Sequence, residues 1–369
     1  MRALSSRLLV GALALIPAVA SAQVTPAAAY TPPDDTQSIR VGSVIFYDYT
    51  YTHRPQATDA AGNLYSPQAF NVGRAYINVT GNVSHIISFR VTPDITREAG
   101  TGSTLIGSLT VRLKYGYAQF SLDDWTGSWK QTWVRGGIQQ TPFIDGQESV
   151  YRYRFQGTVF AERDGGQTSA DAGVSFHTNI PGNYGDVHFG YYNGDGYSRA
   201  EANDQKSFQV RATIRPLPGG SFLVKGIRGT VFFNNDQPVK GGTRDRFIGS
   251  VWYEHRHLNA GFDYLTGAEQ TLPTNPKSDV DGYSFFVTPF FKEKGNGVEA
   301  LLRYDSYRPN ADLSARRNRF IGGVSYWFPH PGGNATAALL LDYEQVTFAR
   351  FTTAQAKQQR IALHGLINF

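Results

Sequence analysis

Seven basic side chains recur in segments whose neighbours alternate between apolar and polar: Arg74, Arg90, Arg112, Lys114, Arg135, Arg211 and Arg215. In each segment the apolar residues occupy one parity and the basic residue the other. The two faces of such a strand meet different surroundings. A cation cannot sit cheaply against hydrocarbon, so these seven belong on a wetted face or near its rims. A basic wall of this kind breaks no bonds. It raises the local concentration of anions and repels cations. The alternative is that the arginines pair with acids such as Glu299 and Asp305 on the facing wall and cancel. A second charged group lies in the irregular stretch 141–166, where Arg152, Arg154 and Arg163 stand beside Glu148, Glu162 and Asp164. Acid facing base across a narrow passage would set a transverse field; on an ordinary solvent-facing loop the same charges would do nothing special.

The elements that carry these residues are strands. Phe208, Val210, Ala212 and Ile214 alternate with Gln209, Arg211, Thr213 and Arg215. Val298, Ala300, Leu302 and Tyr304 alternate with Glu299, Leu301, Arg303 and Asp305, and Leu109, Val111, Leu113, Tyr115 and Tyr117 with Thr110, Arg112, Lys114, Gly116 and Ala118. Period-2 segments cover 38–52, 69–80, 84–92, 105–121, 129–140, 167–178, 185–193, 205–215, 222–234, 245–255, 258–266, 281–291, 297–307, 317–328, 334–346 and 357–369. Gly81-Asn82, the Pro181 stretch, Pro216-Leu-Pro-Gly-Gly, Lys294-Gly-Asn and His330-Pro-Gly-Gly make turn-like links after even-numbered segments. The links 53–68, 93–104, 141–166, 267–280 and 347–356 after odd-numbered ones are longer and polar. Short turns on one side and long loops on the other predict a sixteen-stranded all-β transmembrane antiparallel barrel over 38–369.

Composition agrees. The 21 Tyr and 24 Phe suffice for aromatic girdles, and the 39 Gly for tight turns. There is no Cys, which excludes a disulfide framework in an exported chain. After residue 22 no apolar stretch reaches the roughly 18 residues that a spanning helix needs. Arg2 and Arg7, the apolar run Leu8 to Ala20 and Ala20-Ser21-Ala22 read as a signal peptide over 1–22 with the mature start at Gln23. Residues 23–37, QVTPAAAYTPPDDTQ, read as a flexible leader. Net charge is +5, and +3 once Arg2 and Arg7 are removed. So mild a balance argues against nucleic acid as a partner.

The end of the chain is also informative. Ile361, Leu363, Gly365, Ile367 and the terminal Phe369 share one face, a pattern that resembles the sorting signal of bacterial outer-membrane barrels. Phe70-Asn-Val-Gly-Arg-Ala-Tyr-Ile-Asn-Val-Thr-Gly81, Trp133-Val-Arg-Gly-Gly-Ile-Gln-Gln-Thr-Pro-Phe143, Tyr192-Asn-Gly-Asp-Gly196, Glu299-Ala-Leu-Leu-Arg-Tyr-Asp305 and Ile321-Gly-Gly-Val-Ser-Tyr-Trp327 resemble strands and a loop entrance of the phosphate-selective porin O and P family. Such a resemblance implies sixteen strands, a bacterial outer-membrane location, a homotrimer, and passage of small anions or other hydrophilic solutes. It also implies that loop 141–166 folds inward as a constriction. No lysine ladder or tyrosine cluster of the phosphate-selective kind is legible, so mild anion preference is the expectation and a phosphate or other oxyanion channel the alternative.

Remaining motifs are weak. Asn193-Gly-Asp-Gly196 lacks an EF-hand ligand series and reads as a turn. His255 and His257 form a rim pair without further ligands. The sequons at Asn78 and Asn334 fall in strands. No P-loop, dinucleotide fingerprint or zincin motif is present, and no cofactor is expected. A barrel hydrolase such as an outer-membrane phospholipase needs Ser, His and an orienting group on one face, and no neighbouring serine is recommended by the eight scattered His.

Overall fold

The computed structural model describes residues 34–329 and 336–369. The expected signal peptide, most of the expected leader, the expected turn at His330-Pro-Gly-Gly and Asn334 of the second sequon lie outside the described residues. The rest closes into one antiparallel barrel in which each of sixteen strands pairs with its sequence neighbours. These are β1 (Ser38–Arg54), β2 (Gln68–Asn82), β3 (Ile87–Arg97), β4 (Leu109–Ser121), β5 (Trp133–Gln140), β6 (Ala170–Ile180), β7 (Gly185–Tyr192) and β8 (Ser207–Ile214). They are followed by β9 (Ile227–Asn235), β10 (Thr243–His255), β11 (Leu258–Gln270), β12 (Ser278–Pro289), β13 (Gly297–Asn310), β14 (Ala315–Phe328), β15 (Thr336–Ala349) and β16 (Gln358–Asn368).

Closure leaves no open edge, so every strand finds a partner for its backbone groups. At the seam β1 pairs with β16, and Ser43 and Phe369 exchange both backbone hydrogen bonds at 2.9 Å. Across that seam the Tyr47 ring lies over Gly365, so closely that a Cβ there would stand 2.1 Å from the ring. The glycine lets the aromatic cover the ladder. Outward parity carries the apolar belt: Phe208, Val231, Phe247, Val251, Phe262, Phe285, Leu302, Val324, Leu341 and Leu363 are all exposed. Exposed apolar side chains on strand after strand are what a barrel presents to lipid.

The alternation expected through Tyr117 breaks inside β4. Thr92 pairs with Tyr115 and Pro93 with Leu113, which leaves Lys114 as an extra residue. Pro93 has no N–H to give the ladder, and a bulge forms there. Parity flips beyond it, so Tyr115 and Tyr117 turn inward with Arg112 and Lys114 rather than outward to lipid. Gly73 is a similar extra residue between Phe46–Arg74 and Tyr47–Val72.

The link-length rule holds only in part. Links 122–132 and 215–226 are long although they follow even strands, and 311–314 is short although it follows an odd one. Strands 4, 5 and 6 also start later than their patterns suggest, and the late start of β6 lengthens the third loop to 141–169.

At the turn end a small clasp ties three segments. His85, in the link 83–86, meets Asp35 through Nδ1 at 2.6 Å and Asp124 through Nε2 at 2.8 Å. Two carboxylates need both ring nitrogens to donate, so the hydrogen bonds to Asp35 and Asp124 raise the His85 pKa above 6.5. A raised folded pKa means the clasp contributes fully below the unfolded value and is lost as pH rises through the folded one. A ring titration of His85 followed by NMR in micelles should therefore show a midpoint above 6.5. A midpoint at or below it would contradict the clasp.

Candidate functional site: the lumen and its third loop

The loop 141–169 leaves β5 at Gln140 and turns into the barrel. Helix α1 (Pro142–Glu148) starts it, with Pro142 in its first turn, where its missing N–H costs nothing. A second short helix, α2 (Phe160–Arg163), lies on the return. Between them the chain is held to the inner wall by aromatic contacts. Phe143 meets Phe232 of β9 and Trp252 of β10 with ring centroids 5.2 and 5.8 Å apart. Tyr151 meets Phe286 of β12 at 5.1 Å, and Tyr153 meets Trp327 of β14 at 5.8 Å. Phe155 reaches Phe46 of β1, and Phe160 reaches Tyr307 of β13. Burying that much aromatic surface fixes the loop to the wall.

Polar contacts pin it further. Asn259 donates to the Val150 carbonyl at 2.9 Å, Arg303 to Thr158 at 2.8 Å and Arg246 to Gly165 at 2.8 Å. The six charged residues singled out in this loop each find a partner. Arg154 lies between Glu148, at 2.6 Å, and Glu162. Arg152 pairs with Glu299 at 3.1 Å and stacks 4.0 Å over Trp327, while the Tyr153 hydroxyl donates to Glu299 at 2.8 Å. Arg163 stands 3.8 Å from Glu344 of β15, and Asp164 takes Arg317.

The inner faces of β2, β3, β4, β5 and β8 carry the row of cations, with Arg211 against helix α1. Arg74 and Arg112 converge on the buried Asp94, and both also donate to the Tyr197 hydroxyl, at 3.0 and 3.1 Å. Lys114 donates to the Tyr76 hydroxyl at 3.2 Å and lies 4.8 Å over that ring. Arg90 bonds Asn78 and Thr92 and stacks 4.4 Å over Tyr115. Arg135 bonds Gln119 at 2.8 Å and stacks 3.8 Å over Trp133 and 4.8 Å over Tyr117. Arg211 pairs with Asp186. Arg215 sits just past β8, at the turn rim, donating to Asn183 at 3.2 Å. Of the seven, Arg74, Arg112 and Arg211 thus have carboxylate partners, whereas Lys114 and Arg135 rest on hydroxyl, amide and ring faces. Those carboxylates are Asp94 and Asp186. Glu299 and Asp305, which the sequence offered as partners for this wall, are taken by Arg152 and Arg303.

Sequence reasoning missed three things here. The inward aromatics Phe232, Trp252, Phe286 and Trp327 contradict a simple polar interior. Their signal was the doublets Phe232-Phe233, Phe285-Phe286 and Tyr326-Trp327, where both faces of a strand are apolar. Tyr197, in loop 193–206, and the inward-turned Tyr115 and Tyr117 form a tyrosine cluster around the cations that the sequence did not reveal. Glu344, on β15, went unnoticed. Asn193-Gly-Asp-Gly196 forms a bend, with Gly194 and Gly196 at positive φ, and the turn follows at 197–198.

The barrel resembles known structures. An anion-selective porin from Comamonas acidovorans superposes with TM-score 0.56 at 13% identity, over 90% of this chain and 100% of that one. OmpT, an outer-membrane protein of Vibrio cholerae, gives 0.58 at 13% identity, over 92% and 100%. The outer-membrane channel DcaP of Acinetobacter baumannii gives 0.56 at 10% identity, over 93% and 100%. The fold is that of an outer-membrane porin. No family model and no curated protein matches the sequence. An even-stranded single-chain barrel with an apolar belt belongs in a bacterial outer membrane, and this porin fold carries such a belt. Among the described residues no helix is long and apolar enough to cross a membrane, and no group of three or more His, Cys, Asp or Glu could hold a metal ion.

Proposed function

We propose that the protein is a passive diffusion porin for small hydrophilic solutes with a mild preference for anions. The observation that carries the reading is the lumen itself. A loop is bound along the inner wall, and Arg74, Arg90, Arg112, Lys114, Arg135 and Arg211 stand on the inner faces of β2, β3, β4, β5 and β8, with Arg211 against helix α1 of that loop. An excess of guanidinium and ammonium groups in a narrow, low-dielectric passage favours anions there. Loop 141–169 narrows the passage, and Glu148, Arg152, Arg154, Glu162, Arg163 and Asp164 hold it in place. Small sugars should enter proteoliposomes carrying the purified protein and make them swell. Vesicles that hold folded protein yet do not swell would overturn the reading.

Among the cations, Arg135 is the best single probe because amides and rings hold it. Arg135→Glu should move the reversal potential under a salt gradient toward cations, with the unit conductance little changed. An unmoved potential would remove Arg135 from the selectivity wall.

Two further readings belong to the same proposal. Residues 1–22 are a signal peptide, so N-terminal sequencing of the membrane-extracted protein should begin at Gln23, with 23–37 as a leader. The porin is a homotrimer, which mass measurement of the detergent-extracted, unheated protein would test.

A further inference from the structure

Toward the loop end, the lumen opens between the tip of the third loop and the strands β1, β14, β15 and β16. A cleft of about 550 Å³ lies there, a size that suits a small ligand. Its lining includes Arg54, Arg163, Arg319 and Arg360 against the single carboxylate of Glu344. Glu344 accepts Arg360 Nε at 3.1 Å, Gln156 Nε2 at 3.0 Å and Arg319 Nη1, with Arg163 Nη1 3.8 Å away. Arg319 also lies 4.0 Å from Asp164 and from Asp305.

Two donors in this floor are only loosely held. Arg163 Nη1 and Arg319 Nε are buried and make no hydrogen bond, standing 3.8 Å from Glu344 and 4.0 Å from Asp305. A buried guanidinium N–H without an acceptor costs free energy, and native structures seldom keep one without a reason. Guanidinium forks match planar, two-oxygen anions. Glu344 already fills one such seat. The loosely held prongs of Arg163 and Arg319, with Arg360 and with Arg54 in the same lining, can take a second. Gln156, Thr158 and Thr52 offer neutral groups to hydroxyls beside it.

We infer that this cleft is a binding subsite for compact polycarboxylates, which the porin concentrates at its mouth before they pass; the inference rests on the porin reading above. Glu344 acts there as a built-in carboxylate that an incoming one exchanges with on the shared arginines.

The test is block of the chloride current in planar bilayers by citrate added on the loop side, against acetate and inorganic phosphate at equal ionic strength. Citrate should half-block at a concentration at least roughly tenfold below either of the others. Arg360→Gln should raise the citrate value by roughly tenfold, and Glu344→Gln should lower it. Arg54→Gln is the second variant should Arg360→Gln fail to fold. Phosphate blocking as well as citrate, or citrate block unmoved in the folded arginine variants, would overturn the subsite. Folded protein without channel steps would sink the porin reading instead. Calorimetric titration of citrate into the protein in micelles then still decides the subsite, since binding needs no conduction, and no heat of binding would overturn it.

Discussion

Arg154→Ala should release the third loop from the wall and speed its cleavage by trypsin in the folded barrel by roughly a hundredfold or more. Arg154 is almost wholly buried and stands between two carboxylates, Glu148 at 2.6 Å and Glu162. Removing it leaves both acids buried without their cation, which costs about 3–5 kcal/mol for a broken buried pair. That cost falls on the loop and not on the strands, whose ladders do not involve Arg154. The cleavage rate reports the opened population when reclosing is fast. Cleavage in the loop at Arg152 and Arg163 should therefore rise while heat-resistant mobility on unheated gels persists. A cleavage rate equal to that of the unchanged protein would mean that the aromatic contacts alone hold the loop.

A charge placed at mid-belt should be almost as costly. Leu341 points outward on β15, flanked by Val324 of β14 and Leu363 of β16, and all three are exposed. In a lipid-embedded barrel, Leu341→Arg should cost about 2–4 kcal/mol of folding free energy, measured by denaturant titration in bilayers. Gln345→Arg, on the same face nearer the rim, where Gln345 meets Tyr343 at 3.1 Å, should cost about 0–1 kcal/mol. The gradient with depth is the informative quantity. Equal small costs at both positions would contradict a lipid-facing belt.

Much of this architecture was legible before any coordinates. Period-2 alternation located all sixteen strands, since a barrel wall between lipid and water imposes strict parity on nearly every residue. Parity also put Arg90, Arg135 and Arg211 on the inner face. What parity could not supply was anything that breaks it. The bulge at Lys114 arises from Pro93 on the neighbouring strand, a partner that a one-strand pattern does not contain. Past it, Tyr115 and Tyr117 exchange lipid for the lumen, and a tyrosine cluster appears around the cations.

The third loop shows the same limit from another side. Its charges were visible, but their partners Glu299 and Glu344 lie more than a hundred residues away. No spacing rule links them. The inward aromatics that receive the loop read as irregular alternation, because their function depends on a segment that folds back over them. Link lengths misled for a simpler reason: 122–132 and 215–226 carry exposed Trp125, Trp129, Leu217, Phe222 and Leu223 and extend the turn end well beyond a tight turn.

The central claim is that the cations on the inner face make the passage favour anions. Planar-bilayer recording of the purified protein under a potassium chloride gradient tests it most directly, through the sign of the reversal potential. Conductance steps with an anion-directed reversal are predicted. Steps with no ion preference, or with a cation-directed reversal, would contradict the basic wall, and folded, inserted protein that gives no steps would contradict the pore.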